Sequence, residues 1–342
     1  MSVRIYGDFS GTHSLAQVAY GFSSCFRGAF IYRLGDSGVN DLDETVYSGG
    51  GETATDSIFL GPLNLVHEPM FQGRHERRWV MVTPNSDRIG DLLKENIENA
   101  ATHLLTPSRW AAGVLKNIFP KKPLRIAKHG IHEDYFYRAR KKPDKMMFLH
   151  LSSSEKQRKG TAELLEGWKM AALRDAQLCL SVPAGAAMYL SEHIHDLGIS
   201  KSVSLMSRLD YEPRNMAVLY SSVHFVVQPS RGEGFGLVPL EARACGTPVI
   251  ATDCTGHREH MRGPGVVLVP TGELGDIDDL PGAKAPSLSA TSVAAALTHA
   301  YKSQTELAQE AMQNRDSIRR LWAWDNQLES LKKEVGFEER TA

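Results

Sequence analysis

The segment from His224 to Thr252 constrains the fold more than any other part of the chain. His224-Phe-Val-Val-Gln228 is a short apolar run without polar alternation, which is the pattern of a strand buried on both faces. The glycine-rich stretch Pro229-Ser-Arg-Gly-Glu-Gly-Phe-Gly-Leu-Val-Pro-Leu-Glu241 then runs from a loop into a helix, and a second buried strand follows at Val249–Thr252. Two buried strands joined by a helix call for a parallel sheet with helices on its faces. Glycines in such a loop let backbone amides approach a phosphate closely, and the helix N-terminus behind them adds a partial positive charge. Glu233 on the loop and Glu241 inside the helix flank those amides. Carboxylates beside an anion site are electrostatically awkward. They make sense as acceptors for hydroxyls of a sugar and a ribose lying on either side of the phosphates.

The rest of the chain repeats this α/β pattern. Apolar runs at Val3–Tyr6, Ala29–Tyr32, Asn64–His67, Trp79–Thr83, His103–Thr106 and Leu124–Ala127 alternate with helical stretches such as Asp87–Ala100 and Ser108–Ile118. The pattern restarts at Met147 and continues through Gln177–Val182, Val203–Met206, Val249–Thr252 and Val266–Val269. Between the two sets lies the charged, proline-interrupted stretch Arg138-Ala-Arg-Lys-Lys-Pro-Asp-Lys145, which places a domain boundary at 142/143. Residues 1–142 are therefore expected to form one Rossmann-like domain and 143–318 a second. Ligands in such sheets bind outside the carboxyl ends of the strands, so two sheets facing each other would share one cleft. The Gly-, Pro- and Asp-rich stretch Gly272–Ser289 reads as a surface loop.

A chain of 342 residues can bury two ordinary cores, and a formal net charge of -1 argues against a dedicated nucleic-acid or membrane-surface protein. Basic residues do gather locally: Lys121–Lys145 holds nine basic and three acidic side chains, and Arg74–Arg78 adds a smaller cluster. Such clusters keep open an anionic polymer such as DNA as a partner. Cys25, Cys179, Cys245 and Cys254 have neither paired nor metal-type spacing, which suits a reducing, cytoplasmic setting. No apolar run of membrane-spanning length occurs, and Met1–Tyr6 leads straight into a strand.

The Glu233–Glu241 segment resembles the E-x(7)-E signature of retaining nucleotide-sugar glycosyltransferases of the GT-B fold, family four (glycosyl transferases group 1). Three further stretches resemble that family: the basic site Glu155-Lys-Gln-Arg-Lys-Gly160, the domain-closing run Arg125-Ile-Ala-Lys-His-Gly-Ile-His132 with Phe136, and Trp322-Ala-Trp324 opening a last helix. The resemblance implies that this helix, within 319–342, returns to the N-terminal domain. It implies a metal-independent retaining transferase moving a hexose-type sugar from a UDP- or GDP-sugar to a hydroxyl of a glycan, lipid or small molecule, with no cofactor. Glu233, Lys159 and Arg158 would be the catalytic set: the two cations hold the leaving diphosphate and Glu233 the sugar. Glu241 would hold the ribose, and the amides of Gly234, Phe235, Gly236 and Leu237 would face the donor. Ser153, Leu209 near the nucleotide base, and Gly11 in the loop after the first strand complete the donor side. His13, His67 and Asp87 compete for the acceptor side, with Glu68 a further candidate. A hydroxymethylated DNA base as acceptor, and a non-catalytic binding protein on the same fold, are the alternatives.

The chain departs from the family pattern in places. Ser153 stands where the family has an arginine six residues before the lysine, so Lys156 or Arg158 would have to supply that contact, and His132 replaces the hinge aspartate. Other motifs carry less. Asp276-Ile-Asp278 matches a metal-binding Asp-x-Asp but lies within the expected loop, so no metal is assigned to it. Gly232-Glu-Gly-Phe-Gly236 has the wrong spacing for a dinucleotide fingerprint, and an acid between its glycines would oppose a pyrophosphate.

Overall fold

The computed structural model describes residues 3–7, 18–19, 21–22, 30–33, 56–60, 77–136, 142–153, 157–207, 212–277 and 281–335. They form two compact units: 1–84 with 88–132 and 321–342, and 85–87 with 133–320. The division falls between His132 and Glu133, ahead of the expected 142/143, and the C-terminal stretch from Leu321 counts with the first unit.

The first unit holds strands β1 (Val3–Gly7), β2 (Phe30–Arg33), β3 (Asp56–Leu60), β4 (Arg77–Met81), β5 (His103–Thr106) and β6 (Leu124–Ile126). They make one parallel sheet in the order β2-β1-β3-β4-β5-β6. Helix α1 (Asp91–Ala100) follows β4 and α2 (Arg109–Ile118) follows β5. Ser108 starts α2 by accepting a hydrogen bond from the Ala111 amide at 3.1 Å, and Ala111, Ala112, Val114 and Leu115 then turn one apolar stripe inward. From that stripe Leu115 joins Phe59, Val80, Val82, Ile97, Leu104 and Phe119 in the core. Each large side chain so buried contributes about 1.5–3 kcal/mol.

The third strand is Asp56–Leu60, which the sequence reading passed over; the strand expected at Asn64–His67 lies outside the described residues. Asp56-Ser57 reads as polar loop, yet both side chains are buried. The charge is tolerated because Arg77 and Trp79, on the neighbouring β4, donate to the Asp56 carboxylate at 2.8 and 3.1 Å. Cross-strand partners of this kind leave no periodic trace.

The second unit holds β7 (Met146–Leu151), β8 (Ala176–Val182), β9 (Val203–Ser207), β10 (Phe225–Gln228), β11 (Val249–Thr252) and β12 (Val266–Val269). Again all pairings are parallel, in the order β12-β11-β10-β7-β8-β9. Around this sheet lie helices α3 (Thr161–Ala171), α4 (Ala184–Asp196), α5 (Pro213–Ser222), α6 (Leu237–Ala244), α7 (Ala290–Lys302) and α8 (Gln304–Trp322). Phe148 stacks on Phe225 at 5.1 Å and meets Trp168 edge-on at 5.3 Å, joining β7, β10 and α3 in one core. The chain builds outward from β7 through β8 to β9, then returns to β10 on its other side. The order therefore reverses between β7 and β10, and the loops after these two strands flank a crevice where ligands bind in such sheets.

Gly272–Ser289 is more than the expected surface loop. Leu274–Asp276 (β13) and Lys284–Pro286 (β14) pair antiparallel, and Ile277, Ala283 and Ala285 bury a small cluster of their own. Helix α9 (Trp324–Val335) ends the described chain. Trp324 fills space kept open by two glycines: a Cβ on Gly21 or Gly130 would lie 2.0 or 2.6 Å from it. The Ile131 amide donates to Trp322 O at 2.8 Å, and Lys128 lies over the Trp322 ring at 5.5 Å.

Candidate functional site

The two switch-point loops of the second unit touch through their backbones. Arg231 N donates to Arg158 O at 2.8 Å. Gly160 adopts φ 65°, and a Cβ there would meet Pro229 O at 2.2 Å, so both its conformation and its space require glycine. Buried His150 braces this junction. Val227 O can only accept, so His150 Nδ1 carries the proton and donates at 2.8 Å, which leaves Nε2 to accept from Thr161 Oγ1 at 2.9 Å. Thr161 Oγ1 in turn accepts from Ser152 Oγ at 3.1 Å. Burial holds the His150 imidazole down at about 4, so it is neutral at ordinary pH.

The contact between the loops brings Lys159 Nζ within 2.6 Å of Glu233 Oε1. Arg158 Nη1 lies 3.4 Å from the same oxygen and donates to Gly232 O at 2.9 Å. Burial pushes the Glu233 carboxyl up, but Lys159, then Arg158, outweigh it and hold the group well below the usual carboxylate range. Lys159 is an ammonium with three donors, one of which Glu233 takes. Arg158 also holds the Gly232 carbonyl, which makes it a brace for the loop as well as a charge.

Around Glu233, Gly232 and Gly236 are crowded. A Cβ on Gly232 would lie 1.9 Å from Asn85 O, and one on Gly236, where φ is 90°, would lie 2.4 Å from His257 Cδ2. Glu233 N donates to Thr255 Oγ1 at 3.1 Å, Gly256 N donates to Glu233 O at 2.8 Å, and Gly234 N donates to Asn85 Oδ1 at 3.2 Å. Phe235 is buried, with His260 Nε2 donating to its carbonyl at 2.8 Å. Gly236 supplies no side-chain cap to α6, and Gly236 and Leu237 are half-buried. The first amides of that helix therefore have no intrahelical acceptor and suit an anion.

Glu241 sits in α6 in a different environment. Tyr220, from α5, donates to its Oε2 at 2.8 Å, and Tyr135, from the turn Glu133–Phe136, also hydrogen-bonds the carboxylate. Burial pushes Glu241 up to about 7 despite these two donors. One signature carboxylate is thus neutralised by cations and the other solvated by hydroxyls.

Of the residues expected at the site, Glu233, Lys159 and Arg158 converge with Gly234, Phe235, Gly236 and Leu237, and Ser153 lies two residues beyond the end of β7. Leu209, Gly11, His13 and His67 lie outside the described residues. The Asp87 carboxylate accepts from Lys284 N at 2.7 Å and ties residues 85–87 to the β13–β14 hairpin. Asp276 has an exposed side chain, its carbonyl accepts from Arg231 at 3.3 Å, and Asp278 is not described. Among the described residues no group of three His, Cys, Asp or Glu side chains is placed to hold a metal ion, and no helix is long and apolar enough to cross a membrane. Several basic side chains serve the fold: Lys122 caps the carbonyl end of α1, Arg78 donates to Ala100 O at 2.7 Å, and Arg77 pairs with Asp56. Sequence reasoning missed Asn85, His257, Tyr135 and Tyr220. Only Asn85 had a signal, because it follows a parallel strand at its carboxyl end.

Comparison with known proteins shows what this part of the chain is similar to. Residues 145–280 match the model of the glycosyl transferases group 1 family. A D-inositol 3-phosphate glycosyltransferase from Gordonia bronchialis is 36% identical over 104 residues, 29% of this chain and 22% of that protein. The O-antigen chain mannosyltransferase RfbU of Salmonella typhimurium is 31% identical over 103 residues, 28% of this chain and 29% of that one. The alignments thus span less than a third of these curated relatives. Among solved structures, Anabaena HepE in complex with UDP and glucose superposes with TM-score 0.75 at 12% identity, covering 99% of this chain and 100% of that one. Sucrose-phosphate synthase from Thermosynechococcus elongatus gives 0.72 at 16% identity, covering 98% and 99%. The chain has the GT-B fold, and its residues 145–280 are similar to the glycosyl transferases group 1 family.

Proposed function

We propose that this chain is a glycosyltransferase that moves a hexose-type sugar from a UDP- or GDP-sugar to a hydroxyl acceptor, with retention of anomeric configuration and without a metal. The observation that carries the reading is the 2.6 Å contact of Lys159 with Glu233 at the strand-order switch point, beside the uncapped start of α6. Negative charge grows on the departing diphosphate as the sugar leaves. Lys159 and the amides at Gly236–Leu237 are fixed donors for that charge, and fixed donors are worth more than water because they need no reorganisation. Glu233, held ionised, accepts from sugar hydroxyls and lies near the positive charge that develops on the anomeric carbon. Glu241 accepts from the ribose hydroxyls. The acceptor oxygen attacks from the face that the diphosphate leaves, which requires no enzyme nucleophile. The complexes of HepE with UDP and with UDP-glucose make UDP-glucose the first donor to test.

The test is donor turnover across a panel of UDP- and GDP-sugars, with released nucleoside diphosphate as the signal and water or simple alcohols as acceptor. Release that depends on Lys159 and Glu233 is expected. A protein that neither binds a nucleoside diphosphate nor splits any donor would overturn the assignment.

A further inference from the structure

The nucleoside half of this site contains a device that the signature alone does not describe. Glu241 is buried, and among the described residues no cation is paired with it. Its partners are two hydroxyls from separate elements: Tyr220 at the end of α5, at 2.8 Å, and Tyr135 in the turn Glu133–Phe136. The two phenol rings lie 6.2 Å apart, tilted by 32°. Each tyrosine is itself held. Thr247 Oγ1 donates to Tyr220 O at 2.8 Å, and Cys245 Sγ donates to Tyr135 O at 3.3 Å. The pair therefore approaches Glu241 from a braced backbone. A carboxylate offers about four acceptor positions. The tyrosines take one each, and a ribose diol presents two donors.

We propose that Tyr220 and Tyr135 are positioning residues for nucleotide recognition, holding the Glu241 carboxylate ionised and aimed so that its remaining acceptor positions meet the two hydroxyls of a ribose. This rests on the reading of Glu241 as the ribose acceptor. It also makes nucleotide binding pH-dependent near neutrality. The titratable groups that face Glu241 are Tyr220, Tyr135 and Cys245, all neutral there, while Arg319 and Arg315 act on Cys245 from α8. With Glu241 pushed up to about 7, the accepting form is lost below that pH. Affinity then falls about tenfold per pH unit on the acid side and levels off on the alkaline side. Removing a donor to the carboxylate must raise its pKa further, so the midpoint moves to higher pH.

The experiment is calorimetric titration of the full chain with UDP, and in parallel GDP, from pH 6 to pH 8.5. The chains compared are the native one, Tyr220→Phe, Tyr135→Phe and Glu241→Gln. Glu241→Gln supplies the baseline, since any slope left in it belongs to the nucleotide. Tyr220→Phe should bind roughly tenfold more weakly at neutral pH, the scale of a lost hydrogen bond to a charged group. Its midpoint should rise, and KM for the donor should rise more than kcat falls. Tyr135→Phe should do the same to a smaller or equal degree. Weaker binding by a constant factor at every pH, with the midpoint unmoved, would mean the tyrosines serve only the fold and would overturn the proposal. So would native affinity in both variants. Binding of neither nucleotide by the native chain would instead bring down the functional reading on which the proposal rests, and the two failures are thereby distinct.

Discussion

Lys159 and Glu233 are the pair on which structure and chemistry pull apart most usefully. Their charged atoms are 2.6 Å apart, with side chains 14% and 11% exposed, so the interaction is poorly screened. Removing one member of a buried pair strands the other, at about 3–5 kcal/mol. Here Arg158, 3.4 Å from the same Glu233 oxygen, remains in Lys159→Met and softens the loss toward the lower figure. Glu233→Gln strands Lys159 but leaves it a neutral oxygen acceptor, so about 2–3 kcal/mol is expected. The double variant removes the Lys159–Glu233 pair and leaves only Arg158, which still donates to Gly232 O, beside the neutral side chain. Its destabilisation should fall short of the sum of the singles by about 2 kcal/mol. Turnover should behave in the opposite way. Loss of a fixed donor to a developing charge costs roughly 100- to 1000-fold, and the second substitution cannot restore it. Urea denaturation of the four chains at pH 7, beside single-turnover release of nucleoside diphosphate, reads both quantities. Additive stabilities within about 0.5 kcal/mol would show that the pair is not coupled. Turnover that recovers together with stability would show that Lys159 acts only by bracing the loop.

Three further outcomes follow from the same geometry. Because Glu233 is held below its ordinary value of 4.5, its share of the stability is present above that pH and is lost as the pH falls below it; Glu233→Gln should flatten the acid limb of a melting-temperature profile between pH 5 and 3. Gly160→Ala meets both a left-handed backbone, worth about 1–2 kcal/mol, and a carbonyl at 2.2 Å; it should lower the urea midpoint and slow donor turnover, and a silent variant would refute the close approach of the two loops. Excess chelator and the Asp276→Ala change should leave turnover intact, and proton NMR of the product should show the donor's anomeric configuration; inversion or chelator sensitivity would remove the retaining, metal-free mechanism.

The part of the candidate site around Glu233 was legible because its residues are local in sequence. Glu233, the glycines and the helix start lie within a dozen residues of one another, and Lys159 and Gly160 sit at the one other loop beside the strand-order reversal. A loop that must bring amides to an anion needs glycines at fixed offsets, and fixed offsets are what a sequence displays. The second sheet was legible for a related reason. Its strands are buried on both faces and read as unbroken apolar runs such as Phe225–Gln228 and Val249–Thr252.

What escaped is what depends on partners brought from afar. Asp56 opens a buried strand only because Arg77 and Trp79 wait on the neighbouring one. The hairpin Leu274–Pro286 hides two alanines and an isoleucine among turn residues, too few to raise a period. Tyr135 and Tyr220 reach Glu241 from 106 and 21 positions away, with nothing in their own neighbourhoods to mark them. The two signature glutamates look equivalent as letters. Folding makes them opposites, since Glu233 meets two cations and Glu241 meets two phenols. Under the proposed function that difference gives them different work. A carboxylate clamped by cations stays charged through the pH range of the cell and suits a centre where charge develops. One solvated by hydroxyls sits near its titration point, so its binding to a neutral diol can be tuned by whatever strengthens or removes a single hydrogen bond.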